Sequence, residues 1–231
     1  MSARPTYAIV PVKALDRAKR RLAPVLPDAA RRRLVLAMLE DVLAAVARVE
    51  AIDRTVVVTP DAGVADLAQA RGAVILREQR AAGLNAAVRR GLAHAAAQGA
   101  SQALVLPADV PLATSDELLR VMETRAAPGR ARAGLVPAGD GGGTNALLLS
   151  PPDALEPNFG PGSFLRHLAQ AVAKRIDTQV LQLPGLGADM DRPDDLLQLL
   201  ASERGRERYG FLAGFLASRT ASPIEIGRER E

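Results

Sequence analysis

Residues 103–111 read ALVLPADVP: an unbroken apolar run, Ala103–Leu106, halted at Pro107 and followed two residues later by Asp109. A run of that length without polar alternation is the pattern of a strand buried on both faces of a parallel sheet. A carboxylate just past the carboxyl end of such a strand lies where open α/β sheets build their sites. A second acidic turn, GLGADMDRPDDL at residues 185–196, again follows a short apolar strand and precedes a helix. Asp109, Asp189 and Asp191 converging from two strand ends would repel one another without a cation between them. Carboxylate oxygens are the ligands of a hard ion, Mg²⁺ or a similar one.

Of the 231 residues, 48% are hydrophobic, ample for a core, but only 3% are aromatic and Trp is absent, so that core is expected to be Ala, Val and Leu. No Ser/Gly/Pro-rich linker divides the chain. It reads as one domain, residues 1–201, with a C-terminal extension, residues 202–231, partly helical and then disordered. The apolar segment Phe211–Leu216 of that extension can dock on the domain or on a second subunit of a homodimer. Without Cys there is neither a disulfide nor a thiolate metal site. No apolar run approaches bilayer length, and the N-terminus enters a strand without a signal-peptide core. A soluble cytoplasmic protein with no membrane partner is expected. The net charge of +4 and the pI of about 10.1 raise the question of nucleic acid. Yet among the 30 basic residues only Lys13, Lys19 and Lys174 are lysines, the arginines are scattered along Ala-rich helices, and no aromatic interleaving accompanies them. No nucleic-acid partner is expected.

The first strand, Thr6–Val12, runs into a loop carrying Lys13, Arg17, Lys19, Arg20 and Arg21. Such a cluster is either a solvated basic face or a polyphosphate site, and its position after the first strand favours the second. It is neither a Walker loop nor GxGxxG. Asp28 is read as the cap of a helix through Val49, Arg54–Thr59 as a strand, Asp61 as the cap of a helix through Arg71, and Ala73–Leu76 as a third strand. Gly83-Leu84-Asn85 opens a helix to about Gln98, either as a plain cap or as a turn approaching a base or ribose. Ser115 is read as the hydroxyl cap of a helix through Thr124. The strands Ala133–Pro137 and Ala146–Ser150 flank GDGGGTN, residues 139–145, which is either a flexible hairpin or a set of amides for an anion, with the Thr144 hydroxyl adding a donor. FGPGSF, residues 159–164, is either an anion site at a helix start or an ordinary helix capped by Ser163. His167 is read as a packed or solvated side chain. Thr178–Leu183 is a strand, and Asp194 and Asp195 are first-turn acids of the last domain helix.

Strands alternating with helices indicate an α/β architecture of three layers around a mostly parallel sheet. Cations, hydroxyl-glycine sites and carboxylates on its carboxyl edge fit phosphoryl or nucleotidyl transfer. No protein nucleophile or general base is evident, and none is needed when the acceptor is itself an ionised phosphate.

IVPVK with AKRRLAP, VVVTPD, GLNAA, LPADVPL, GGGTNALL, FGPGSF and DMDRPDDL, in this order, resemble the CofC/FbiD family of guanylyltransferases in coenzyme F-420 biosynthesis, over about Tyr7 to Leu200. The resemblance implies a nucleotide-diphospho-sugar transferase fold, GT-A-like and Rossmann-type. It implies attack by the phosphate of a three-carbon phospho-acid (phosphoenolpyruvate, 3-phospho-D-glycerate or 2-phospho-L-lactate) on the α-phosphorus of GTP, with release of diphosphate. By matching motif, Asp109, Asp189 and Asp191 would hold Mg²⁺, with Asp109 and Lys13 in the catalytic centre. Thr144, Gly160 and Ser163 would bind the acid; Lys13, Lys19 and Arg21 would hold the triphosphate; Gly83 and Asn85 would lie at guanine or ribose. Arg20 stands where the family commonly has a small residue, AKSRL. A molybdenum-cofactor or sugar-phosphate nucleotidyltransferase is the alternative within this chemistry, but the first strand lacks the glycine-rich loop of those enzymes. A non-catalytic nucleotide-binding module is the alternative from another class, and the carboxylates at both strand ends speak against it.

Overall fold

The computed structural model describes residues 4–79 and 82–220. The expectation of disorder at the chain's end falls on residues 221–231, outside the described residues. The chain runs β1 (Thr6–Pro11), α1 (Asp28–Ala47), β2 (Arg54–Thr59), α2 (Ala62–Ala70), β3 (Val74–Arg77), α3 (Leu84–Ala97), β4 (Gln102–Val105), α4 (Ser115–Met122), β5 (Arg132–Pro137), β6 (Thr144–Ser150), α5 (Ser163–Ala173), β7 (Asp177–Val180), α6 (Pro184–Gly187), α7 (Pro193–Ala201), α8 (Glu203–Tyr209) and α9 (Ala213–Thr220).

The sheet order is β3-β2-β1-β4-β6-β5-β7. All pairings are parallel except those of β6, which is antiparallel to both β4 and β5. β6 therefore runs against the other six strands. Its reversal brings its first residues, Thr144 and Asn145, to the edge where β1, β4 and β5 end. The chain steps outward from β1 to β2 and β3, then jumps back across β1 to β4. The β1/β4 boundary is thus the switch point at which such sheets open a crevice.

Alternation along the strands sorts the core. Ala8, Leu104 and Leu148 face α1 and α4 on one side of the sheet, while Ile9, Val105 and Leu147 face α3 on the other. The contact with α3 is close: a Cβ on Gly91 would come within 2.3 Å of the Ile9 side chain. The C-terminal helices complete the first layer. Tyr209, Leu212 and Leu216 are buried beside Leu34, Val35 and Met38 of α1, the Arg33 guanidinium lies 4.0 Å from the Phe211 ring centre, and Arg208 pairs with Glu40 and Asp41. The Phe211–Leu216 segment thus docks on its own domain. Among the described residues no helix is long and apolar enough to cross a membrane.

Several expected boundaries shift. Pro27, in extended conformation, takes the N-cap position of α1, leaving Asp28 inside the first turn, where it pairs with Arg31. Thr114 rather than Ser115 caps α4, because its hydroxyl accepts from the Glu117 amide while the Glu117 carboxylate accepts from the Thr114 amide. β3 and β7 begin and end one to three residues from the expected positions; after Val180 the chain turns Leu181 and Leu183 into the core. Asp61 caps α2 as expected, accepting from Val64.

Candidate active site

A cleft of about 1220 Å³ opens on the carboxyl edge. One end is charged. Asp109 follows β4 in the loop begun by Pro107, and its carbonyl accepts from the Met190 amide at 3.0 Å, tying the two acidic turns together. Lys19 lies between them: its Nζ donates to Asp109 Oδ2 at 2.6 Å and to Asp191 Oδ1 at 2.8 Å, with only 7% of its side chain exposed. Lys19 adopts a left-handed backbone conformation, φ 50° and ψ 42°, uncommon for a residue with a β-carbon. This turn aims the side chain inward at the carboxylates instead of outward along the basic loop. Burial disfavours the ammonium, but the two carboxylates outweigh it and raise the Lys19 pKa. Burial likewise works against the Asp191 carboxylate, and Lys19, with Arg21 and Lys13 behind it, overrides this and holds Asp191 below the usual range. Asp189 goes the other way. Burial, together with repulsion from Asp109 and Asp191, raises its pKa despite a 3.2 Å hydrogen bond from Asn145 Nδ2.

The three predicted carboxylates converge on one end of the cleft. Among the described residues no group of three or more His, Cys, Asp or Glu is arranged to hold a metal ion. The donors nevertheless suit Mg²⁺, which is usually held by one or two carboxylates plus substrate phosphates rather than by an all-protein cage. The Lys19 ammonium stands as a cation between the two nearest carboxylates. Of the remaining predicted cations, Lys13 and Arg21 line the cleft, Arg21 reaching Asp191 at 3.3 Å from a mostly exposed position. Lys19 is turned to the acids rather than to the cleft mouth. The Arg17 side chain lies outside what the structure describes.

The other end of the cleft is built from glycines and hydroxyls and is more buried. The glycine turn between β5 and β6 is bonded to the start of α5, Gly142 accepting from the Phe164 amide at 3.3 Å. Gly160 has φ +120°, a conformation that side chains disfavour, and its carbonyl accepts from the Ser163 amide at 2.9 Å. Gly162, not Ser163, occupies the cap position of α5. Ser163 is thereby freed from capping, and its hydroxyl lies 3.3 Å from that of Thr144. Thr144, Gly160 and Ser163, expected at the acid site, are thus brought together on one wall.

Gly83 is the N-cap residue of α3. Leu84 lines the cleft, but Asn85 exchanges two hydrogen bonds with the Phe159 backbone, donating at 3.1 Å and accepting at 2.7 Å. It pins the loop that carries Gly160. Two further residues join this wall, Arg166, for which no role was expected, and His167, for which the packed alternative holds. Arg166 clamps the same loop through Asn158 Oδ1 at 3.0 Å and the Pro161 carbonyl. His167, fully buried, touches Thr144 at 3.0 Å. The signal was available: His167 follows Ser163 by four residues and so shares its face of the helix.

The Guanylyl transferase CofC like family model matches residues 6–223, extending past the expected end at Leu200 through the helices that finish the core. The chain is 39% identical to the phosphoenolpyruvate guanylyltransferase of Conexibacter woesei, over 87% of this chain and 91% of the relative. It is 38% identical to the 3-phospho-D-glycerate guanylyltransferase of Phenylobacterium zucineum, over 86% and 91%. In fold it resembles a nucleotide-diphospho-sugar transferase structure from Desulfovibrio desulfuricans G20, with a TM-score of 0.73, 16% identity and coverage of 94% and 98%. With its motifs, its sheet and its match over nearly the whole described chain in agreement, the protein belongs to the CofC-like guanylyl transferase family.

Proposed function

We propose that this protein transfers GMP from GTP to the phosphate of a three-carbon phospho-acid, releasing diphosphate, as a step of coenzyme F-420 biosynthesis. The observation that carries the reading is the division of one cleft into a carboxylate-and-cation end and a hydroxyl end, in a chain of this family. A phosphate oxygen of the acid forms a bond to the α-phosphorus, the bond from that phosphorus to the α,β-bridging oxygen breaks, and diphosphate leaves with the electron pair. The acceptor oxygen is already ionised, so no general base is required.

Lys13 and Arg21 line the route of the triphosphate. Asp109 and Asp191 are the residues that would hold Mg²⁺, with Asp189 beside them, and Lys19 would turn from them to the phosphates when the site is filled. Bound there, the ion supplies charge neutralisation of the phosphate oxygens. Thr144, Gly160 and Ser163 receive the acid. The guanosine lies toward Leu84, with Gly83 and Asn85 shaping that wall. Because Leu212 and Leu216 are buried within the chain, the Phe211–Leu216 segment no longer argues for a homodimer.

The acceptor is one of phosphoenolpyruvate, 3-phospho-D-glycerate and 2-phospho-L-lactate. Relatives of this chain are named for each of the three, and the acids differ by a methylene, a methyl or the position of the phosphate, which pocket shape discriminates. The test is diphosphate release from GTP with Mg²⁺, offering each acid separately, with ATP and CTP as nucleotide controls. Release that requires GTP and one acid is expected. Release that ignores the acid, or equal use of all three nucleotides, contradicts the reading.

A further inference from the structure

His167 belongs to no role assigned so far, yet it is completely buried and bonded on both ring nitrogens. The Asn158 backbone N–H donates to Nε2 at 3.0 Å, so Nε2 is an acceptor and carries no proton. Burial, with the Arg166 charge next to it, pulls the imidazole down to a pKa of about 4, so the ring is neutral at physiological pH. A neutral imidazole has one N–H; with Nε2 an acceptor, that proton is on Nδ1, 3.0 Å from Thr144 Oγ1. Thr144 Oγ1 therefore accepts from His167. It is also 3.3 Å from Ser163 Oγ. Between them the two hydroxyls hold two protons. At most one can lie in their mutual bond, and the histidine nitrogen cannot take the other because it is itself the donor. One hydroxyl proton is left over, on groups that line the cleft.

We propose that His167 is a positioning residue that acts through Thr144, making the Thr144–Ser163 hydroxyl pair a net donor to the phospho-acid's anionic oxygens. The opposite tautomer would draw the Thr144 proton toward the ring and present lone pairs to the acid. The device favours a ligand with acceptor oxygens at this point, a carboxylate or phosphate, over one presenting a donor. The edge-on packing of His167 against Phe159, 4.9 Å between ring centres, holds the imidazole plane.

The inference rests on the guanylyl-transfer reading, and a pair of substitutions separates the two. His167→Asn places an amide N–H near the position of Nδ1, keeping a donor to Thr144 while giving up the reach to Asn158. His167→Gln places its terminal group near Nε2, keeping an acceptor for the Asn158 amide while losing the donor to Thr144. A positioning role predicts that His167→Gln raises the KM for the phospho-acid about tenfold, one hydrogen bond to an ionised ligand, with the GTP KM within about twofold of wild type. His167→Asn then stays within about threefold on both. Thr144→Val raises the acid KM by a similar factor, and adding it to His167→Gln brings little further loss, since His167 acts on the acid only through the Thr144 hydroxyl. Thermal melting of each variant checks that it folds. The reverse ranking, with Asn the worse substitution, would show that His167 only anchors the 158–160 loop. Equal rises in both KM values, or none in the His167→Gln enzyme, would equally overturn the inference while leaving the reaction standing. Failure of the wild-type enzyme to use any of the three acids would overturn the reaction, and the inference with it.

Discussion

The two ends of the cleft are built on opposite principles. At the charged end, Lys19, Asp109 and Asp191 come from three distant loops, are held by ion pairs, and form a site whose electrostatics change as soon as another cation arrives. At the other end, Thr144, Ser163 and His167 come from the start of one strand and the start of one helix. They are uncharged, are each at most 6% exposed, and are joined by hydrogen bonds through Thr144. Discrimination among small acids needs fixed donors. Under the proposed reading, the contrast fits chemistry at the first end and recognition at the second.

The harshest way to break the comparison is Asp109→Asn. It removes one of the two carboxylates facing Lys19, and the expected result is a fall in turnover of about a hundred- to a thousandfold, the scale of losing one transition-state electrostatic contact, with an unchanged circular dichroism spectrum. Near-normal diphosphate release would show that the reaction centre lies elsewhere.

Acid should strike the hydroxyl end through stability rather than turnover. His167 titrates near 4 in the fold against about 6.5 unfolded. As pH falls below 6.5 the unfolded chain takes up a proton that the folded one refuses, so stability decreases between pH 6.5 and about 4 and this contribution flattens below. The full effect is on the order of 3 kcal/mol. Urea midpoints across that range should slope less steeply for His167→Gln than for wild type, and identical slopes would contradict the buried neutral imidazole.

Lys19→Met sharpens the comparison from the charged end. With the internal counter-ion gone, Asp109 and Asp191 should bind Mg²⁺ several-fold more tightly without GTP, read as a larger Mg²⁺-induced rise in melting temperature, while the same substitution lowers turnover. A smaller Mg²⁺ response than wild type would contradict a shared place for ammonium and metal. Least affected should be Arg21→Ala, whose exposed pair with Asp191 is worth less than about 1 kcal/mol; a larger shift in the urea midpoint would place Arg21 deeper in the network than its exposure suggests.

Much of this was legible in the sequence, and the reasons are local. The apolar run before Pro107 identified β4, and the acids after it and after Leu186 marked the edge at which the cleft opens, because strand ends and turn residues write themselves into a few adjacent positions. The reversal of β6 was legible only through the hairpin reading of residues 139–145, since an apolar run carries no direction of its own and the antiparallel pairing with β4 and β5 decides it. The cap positions erred by one residue at Asp28, Ser115 and Ser163, where a neighbouring Pro, Thr or Gly already had the required backbone conformation. Lys19 appeared as one cation in a basic loop because nothing in AKRRL announces a left-handed residue that turns a side chain inward. His167 escaped because its meaning depends on Thr144 and Asn158, 23 and 9 residues away, and on which nitrogen carries the proton.

The account stands most directly on which oxygen attacks which phosphorus. A phospho-acid carrying ¹⁸O in its phosphate group, incubated with GTP, Mg²⁺ and the enzyme, should deliver all of its label to the GMP-capped acid, including the oxygen bridging the two phosphorus atoms, and leave the released diphosphate unlabelled. Label in the diphosphate, or GMP released without capture by the acid, would contradict it.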